Sequence, residues 1–312
     1  MAEELSPLKK RTLWTCIGAI VGAAVLTASF AHDAFNSGEG YHFSNRVAVL
    51  EYHHIDPEAS DYTITPEQFR GHLQTLVDHH YNVISMDKFL AFLDGRGTVP
   101  PDAVVLTFDD GYASFYQYAY PILKEFGMTA TNFLIVGYMD SADQTPPFLT
   151  WDQVLRMHKD GFGFYSHTFM SHDFVADEKG NPVDALSNRI YLANEKRTET
   201  EAEYEQRVYN DLTKANAVIE SKLGPQALLF CMPHGRYNDK FLALGRKAGI
   251  QRYFTGIDGL NAPGTTMVKR INAGAANVGT DRLLGKLNDE VTLAGHMKIL
   301  LKNWIVAQRN KE

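Results

Sequence analysis

Two aspartates stand side by side in Thr107-Phe108-Asp109-Asp110-Gly111, directly after the apolar run Ala103-Val104-Val105-Leu106. Paired carboxylates at a strand end can divide two tasks, one holding a metal and the other moving protons. Gly111 permits the sharp turn that lets neighbouring Asp side chains address one site instead of opposite faces of a strand. Alone, Asp110 would simply cap the following helix and Asp109 would be solvated. Two histidines shift that balance. His167 and His172 flank the short segment Thr168-Phe169-Met170-Ser171, so one loop offers two imidazoles, which with one aspartate form a ligand set that leaves positions open for water or substrate. A metal held there lowers the pKa of bound water, and the carboxylate off the metal takes the proton during attack, chemistry that suits hydrolysis of an acyl bond. The turn Met232-Pro233-His234-Gly235 can present a backbone N–H to the oxyanion, and His53 or His54 is placed to protonate the leaving group. Zinc suits two nitrogens and one carboxylate, and cobalt, nickel, iron or manganese could occupy the same set.

These groups need elements to bring them together. Apolar runs over residues 47–50, 103–108, 162–166 and 228–231 read as strands, and each ends just before one of the candidates: His53/His54, Asp109/Asp110, His167 with His172, and the His234 turn. Between them lie helical patterns over 65–80, opened by a Thr65 cap and Pro66, and over 86–93, 112–126 with a kink at Pro121, 151–159, 204–223 and 239–248. Further strands are expected near 83–84, 129–136 and 251–255, and the polar stretch 173–203 as a surface excursion. Strands alternating with helices imply a parallel sheet with both faces covered, a barrel or a doubly wound layer, with its site at the carboxyl edge.

The chain has 312 residues with 37 Asp+Glu against 30 Lys+Arg, a net charge of -7, which excludes a basic nucleic-acid binder. Its 45% hydrophobic and 21% charged residues exclude a disordered chain. Cys16 and Cys231 are too far apart and too unlike in context to suggest a disulfide or a cysteine zinc site. Lys9, Lys10 and Arg11 precede an uncharged apolar run over 12–31, which reads as a single membrane-crossing signal-anchor with the basic residues cytoplasmic and everything after it outside. The expected layout is a basic N-terminus over 1–11, the anchor over 12–31, a linker over 32–45 and one domain over 46–312 that ends in a helix. Cleavage of the anchor would release that domain.

Together, the Thr107-Phe108-Asp109-Asp110-Gly111 run, the His167-to-His172 segment and the Pro-x-Gly turn resemble the polysaccharide deacetylases with the NodB homology domain, carbohydrate esterase family 4. The resemblance spans residues 46–275 and implies an α/β fold, a distorted (β/α) barrel. It implies that Asp109 is the general base, and that Asp110, His167 and His172 hold a divalent metal, zinc above others. The histidines lie five residues apart and a His-bearing strand, Val49 to Ile55, precedes the double Asp. Both traits resemble the poly-N-acetylglucosamine deacetylases of biofilm matrix synthesis, which implies a circularly permuted order and His53 as the acid, with His54 in reserve. His234 stands where the family usually has an aromatic, and its N–H would still serve the oxyanion. Arg270 resembles an arginine that positions the base, with a surface or core-rim arginine as the alternative. Trp151 resembles a family position, although an aromatic at the start of an amphipathic helix is more often core than sugar platform, and His296 reads as a packing or rim residue. The implied activity is N-deacetylation of N-acetylglucosamine units in an extracellular polysaccharide. Peptidoglycan, chitin oligomers or an acetylated xylan are alternative substrates, and a non-catalytic glycan-binding module is the reading from another class. The implied partners are the polymer, the membrane through the N-terminal helix, and an exopolysaccharide synthesis complex.

Overall fold

A computed structural model describes residues 42–141 and 143–309. The expected anchor over 12–31 lies outside the described residues, and among these no helix is long and apolar enough to cross a membrane. Residues 42–45, expected to end the linker, are tied to the domain: Phe43 is buried, and the backbone N–H groups of His42 and Phe43 donate to the Asp102 carboxylate at 2.9 and 2.8 Å.

Nine parallel strands form the main sheet: β1 (Val47–Tyr52), β2 (Asn82–Val83), β3 (Ala103–Phe108), β4 (Thr131–Leu134), β5 (Gly163–Ser166), β6 (Leu229–Cys231), β7 (Arg252–Phe254), β8 (Met267–Val268) and β9 (Ile271–Asn272). Their order is β8-β7-β6-β5-β4-β3-β1-β9, with β2 also on β3. β8 and β9 are the two ends of that path, yet only Lys269 and Arg270 separate them in sequence. Three peptide steps reach at most about 11 Å, so the sheet must curl until its edges nearly meet, and the chain itself crosses the seam. Of the barrel and the doubly wound layer, the barrel is realised.

Strand alternation then sorts the side chains. Val47, Val49, Ala103, Val105, Phe133, Tyr165, Leu229, Cys231, Phe254 and Val268 form one cluster with Phe89, Phe92 and Leu93 of helix α2 (Met86–Leu93), given that α1 is Pro66–Asp78. This is the barrel interior, closed at its base by α2. The intervening residues Ala48, Leu50, Tyr52, Val104, Leu106 and Phe108 face outward under Phe69, Leu73 and Leu76 of α1. Continuing the inward column of β3 through buried Thr107 brings Asp109 to the top of the interior. β1 and β3 pair over six residues up to Tyr52↔Phe108, and the Asp109 N–H donates to the Tyr52 carbonyl at 2.9 Å, so His53 and Asp109 leave the sheet at one level.

Helix α1 starts as read, with a Thr65–Gln68 capping box and Pro66 in its first turn. The single helix expected over 112–126 is instead a π turn, Phe115–Ala119, running into α3 (Tyr120–Glu125), because Pro121 has no N–H to continue the ladder. Helix α4 (Trp151–Lys159) matches its expected bounds, with Trp151 buried in the core. The polar stretch is more ordered than expected, folding into antiparallel pairs 174–176/182–184 and 191–192/197–198. Helix α5 (Glu201–Leu223) begins three residues before the expected start, because Thr200 and Glu203 form a capping box. After α6 (Asp239–Lys247), helices α7 (Thr280–Asp289) and α8 (Leu293–Arg309) close the described chain. Asp258 clamps α8 at the carboxyl edge of the barrel, receiving Lys302 Nζ at 2.6 Å and exchanging two hydrogen bonds with the Asn303 side chain. The opposite face of α8, with Leu293, Met297, Leu301 and Trp304, is exposed.

Candidate active site

At the head of the barrel, three strand ends leave the sheet through left-handed residues: Asp110 (φ 75°) after β3, Thr168 (φ 94°) after β5 and His234 (φ 55°) after β6. A non-glycine residue in that region is uncommon, and for β-branched Thr168 it is a genuine outlier that costs on the order of 1–3 kcal/mol. These turns break the strand alternation, and the one at Asp110, which would otherwise continue the outward column, leaves its carboxylate beside His167 and His172. Gly111 is a necessary part of this turn, since at φ 86° a Cβ would also press within 3.1 Å of Leu134.

Asp109 and Asp110 end in contrasting surroundings. Asp109 is 2% exposed, and Arg270 grips it in a bidentate pair at 2.8 and 2.9 Å. The Cys231 thiol donates to its Oδ2 at 3.3 Å, and His53 Nε2 lies 3.9 Å from the same oxygen. Burial pushes the Asp109 carboxyl up, but Arg270, His167 and His53 outweigh it and leave the group below the usual range. Arg270 also meets Glu51 Oε2 at 3.1 Å, while Glu51 Oε1 lies 3.9 Å from His53 Nε2. Arg270 is therefore no rim residue: it sits in the seam segment with its guanidinium inside the barrel.

Asp110 Oδ1 faces His167 Nε2 at 3.3 Å and His172 Nε2 at 3.2 Å. Neither contact counts as a hydrogen bond, and among the described residues this buried oxygen has no hydrogen-bond partner. His167 Nδ1 is 2.9 Å from the Cys231 carbonyl. A carbonyl only accepts, so that nitrogen carries the proton and Nε2 turns a lone pair towards Asp110. Two electron-rich atoms aimed at one another are stable when a cation lies between them. Asp110, His167 and His172 can together hold a metal ion, their ligand atoms all lying within 4.8 Å of one another, and the donor set of two imidazoles and a carboxylate fits zinc and its neighbours.

The remaining candidates separate. His54 is turned away, with Nδ1 2.7 Å from Ser114 Oγ, and burial lowers its pKa. His234 lines the cleft with Glu51 and Arg270, its ring stacked on Phe174 at 4.2 Å and its Nε2 3.0 Å from the His172 carbonyl. Sequence reasoning missed four contributors. Glu51 and Cys231 are polar interruptions of apolar strands, and that interruption was their signal. Asp211, buried within the apolar stripe of α5, accepts from the Phe169 and Met170 N–H groups at 2.9 and 2.8 Å and from Ser171 Oγ at 2.8 Å, which fixes the loop carrying both histidines. Phe174 arrives on the folded excursion, and nothing local in the sequence marks it.

A model of the polysaccharide deacetylase family matches residues 96–253, about half of the chain, and that stretch carries both aspartates, both histidines and the His234 turn. The chain belongs to the polysaccharide deacetylase family. Among curated relatives, it is 29% identical over 244 residues to the poly-beta-1,6-N-acetyl-D-glucosamine N-deacetylase of Escherichia coli K12, covering 73% of this chain and 36% of that protein. The Staphylococcus epidermidis protein of the same name is 26% identical over 228 residues, 68% of this chain and 72% of that one. The chain thus spans only about a third of the E. coli relative. A solved structure of a de-N-acetylase from Aggregatibacter actinomycetemcomitans superposes with a TM-score of 0.70 at 27% identity, covering 77% of this chain and 99% of that one.

Proposed function

We propose that this polysaccharide deacetylase family member hydrolyses the acetamide of N-acetylglucosamine units in an extracellular polymer, with poly-β-1,6-N-acetylglucosamine the first candidate. The observation that carries the reading is the division of the two carboxylates: Asp110 is held among imidazoles with an unsatisfied oxygen, and Asp109 is held off that set by Arg270. The names of the E. coli and S. epidermidis relatives support the choice of polymer.

A divalent cation, zinc above others, held by Asp110, His167 and His172 would acidify a water and polarise the acetamide carbonyl. Asp109 is the base. A carboxylate has about four lone-pair sites; Arg270 and Cys231 occupy three, and the one left on Oδ1 takes the proton from the attacking water. Arg270 keeps that carboxylate ionised and fixes its plane. The His234 N–H donates to the developing oxyanion. His53, whose Nε2 faces Asp109 and Glu51, protonates the departing amine as the tetrahedral species collapses. The products are acetate and a glucosamine unit that gains positive charge. We place the domain outside the cell, tethered by the apolar run over 12–31, with the polymer and its synthesis complex as partners.

Acetate release from purified poly-N-acetylglucosamine tests the reading. The wild-type protein loaded with zinc should release acetate, and Asp109→Asn should bind zinc as tightly while releasing at least about 100-fold less. An active Asp109→Asn protein would overturn the base assignment.

A further inference from the structure

The cleft at the barrel head, about 240 Å³ and lined by Glu51, His234 and Arg270, shares two lining residues, Asp258 and Lys302, with a second cavity of about 350 Å³. This second cavity lies between α7, α8 and the seam strand β9, with Ile271 and Ile299 on its wall. Cavities of about 300–1,000 Å³ are typical of small-molecule sites, and this one has room for about one to two pyranose rings.

Its charged lining is largely self-neutralised: Lys302 pairs with Asp258 at 2.6 Å and Lys298 with Asp289 at 3.1 Å. Arg282 is solvent-exposed and donates to the Asn277 carbonyl at 3.4 Å, and among the less exposed charges one acid and one base are left over. Glu290 is 9% exposed, and its carboxyl has no hydrogen bond or ion pair among the described residues; Lys286 of α7 has no ion pair there either. An unpaired buried carboxyl is costly, and natural structures keep one where something else satisfies it. Burial also moves both groups towards their uncharged forms, Glu290 up to about 7 and Lys286 down. A charged ligand would satisfy one of the two and leave the other stranded. Sugar hydroxyls, which donate and accept at adjacent positions, satisfy both, and the two isoleucines suit the C–H face of the ring.

We propose that the cavity between α7 and α8 is a sugar subsite, holding the pyranose unit of the glycan next to the one presented to Asp109 and His53. It rests on the deacetylase reading for the identity of the chain it holds, and its residues lie outside the half of the sequence matched by the family model.

The test uses the full-length protein and N-acetylglucosamine oligomers from dimer to hexamer. In the wild type, kcat/KM for acetate release should rise with length. Gly285 lines the cavity, a Cβ there meets nothing within 4 Å, and its helix gains propensity from a larger residue, so Gly285→Leu should fill the site in a folded protein. The hexamer-to-dimer ratio of kcat/KM should fall about five-fold or more in Gly285→Leu and about three-fold in Glu290→Gln. An unchanged ratio in both variants overturns the subsite, and so does a loss equal for dimer and hexamer. If the wild type releases no acetate from any oligomer, the deacetylase reading fails and the subsite is judged by calorimetry of hexamer binding to Asp109→Asn. Weaker binding when Gly285→Leu is added supports it; equal binding, or none in either protein, overturns it.

Discussion

The barrel head and the α7–α8 cavity each bury a carboxyl, and the fold treats the two in opposite ways. Asp109 meets a guanidinium, a thiol and an imidazole and is held in its charged form. Among the described residues Glu290 meets no hydrogen-bonding or ionic partner, and it is pushed up to about 7, by burial first and then by the charge of Asp258. The difference shows what sustains a buried negative charge: not the aspartate itself, but cationic and hydrogen-bonding groups that the fold brings to it.

Removing those groups should convert the first case into the second. Arg270→Met leaves Asp109 and Glu51 without their shared cation, so we expect a loss of about 3–5 kcal/mol in denaturant unfolding and acetate release reduced by at least about 100-fold. Arg270→Lys keeps the charge but not the fork, and should recover stability better than activity. His167→Ala tests the other side of the aspartate pair. Zinc at 100 times its Kd should stabilise the wild type by about 2.7 kcal/mol in thermal unfolding, whereas the variant should show no such shift at the same concentration.

How much of this contrast could be read beforehand depends on range along the chain. Asp109, Asp110, His167 and His172 were legible because each follows an apolar strand, and parallel strands deliver their ends to one edge. The grip on Asp109 was less so. Arg270 lies 161 residues from its partner in sequence, and only closure of the barrel turns a short polar interruption into an interior guanidinium. Glu51 and Cys231 were visible as misfits in apolar strands, but a misfit announces a partner without naming it. Asp211 was masked by its helix, where an acid among charged neighbours looks solvated until the stripe is counted. The small antiparallel pairs within 173–203 depend on docking of short strands with no periodicity long enough to register.

Two smaller tests refine the comparison. The folded pKa of Glu290 is raised above its unfolded value near 4.5, so its contribution to stability is complete below about pH 4.5 and lost as pH rises through about 7. Glu290→Gln should therefore remove a decline in unfolding free energy between about pH 4.5 and 7 of order 1–3 kcal/mol; an identical pH profile would count against its unpaired state. Cys231→Ala should have the mildest effect, about 1 kcal/mol in unfolding free energy for a lost thiol hydrogen bond, with Arg270 still in place. A larger loss would assign the thiol a greater share in holding Asp109.

The seam crossed by Lys269 and Arg270 bears on how the protein comes into being. A growing chain has made both aspartates and both histidines long before the segment that closes the barrel emerges, so early folding must proceed with Asp109 lacking its cation. Pairings of such long sequence separation form late. Asp109 would thus gain its cation only when the seam segment arrives, and a chain stopped short of residue 270 would hold Asp110, His167 and His172 but no guanidinium for Asp109.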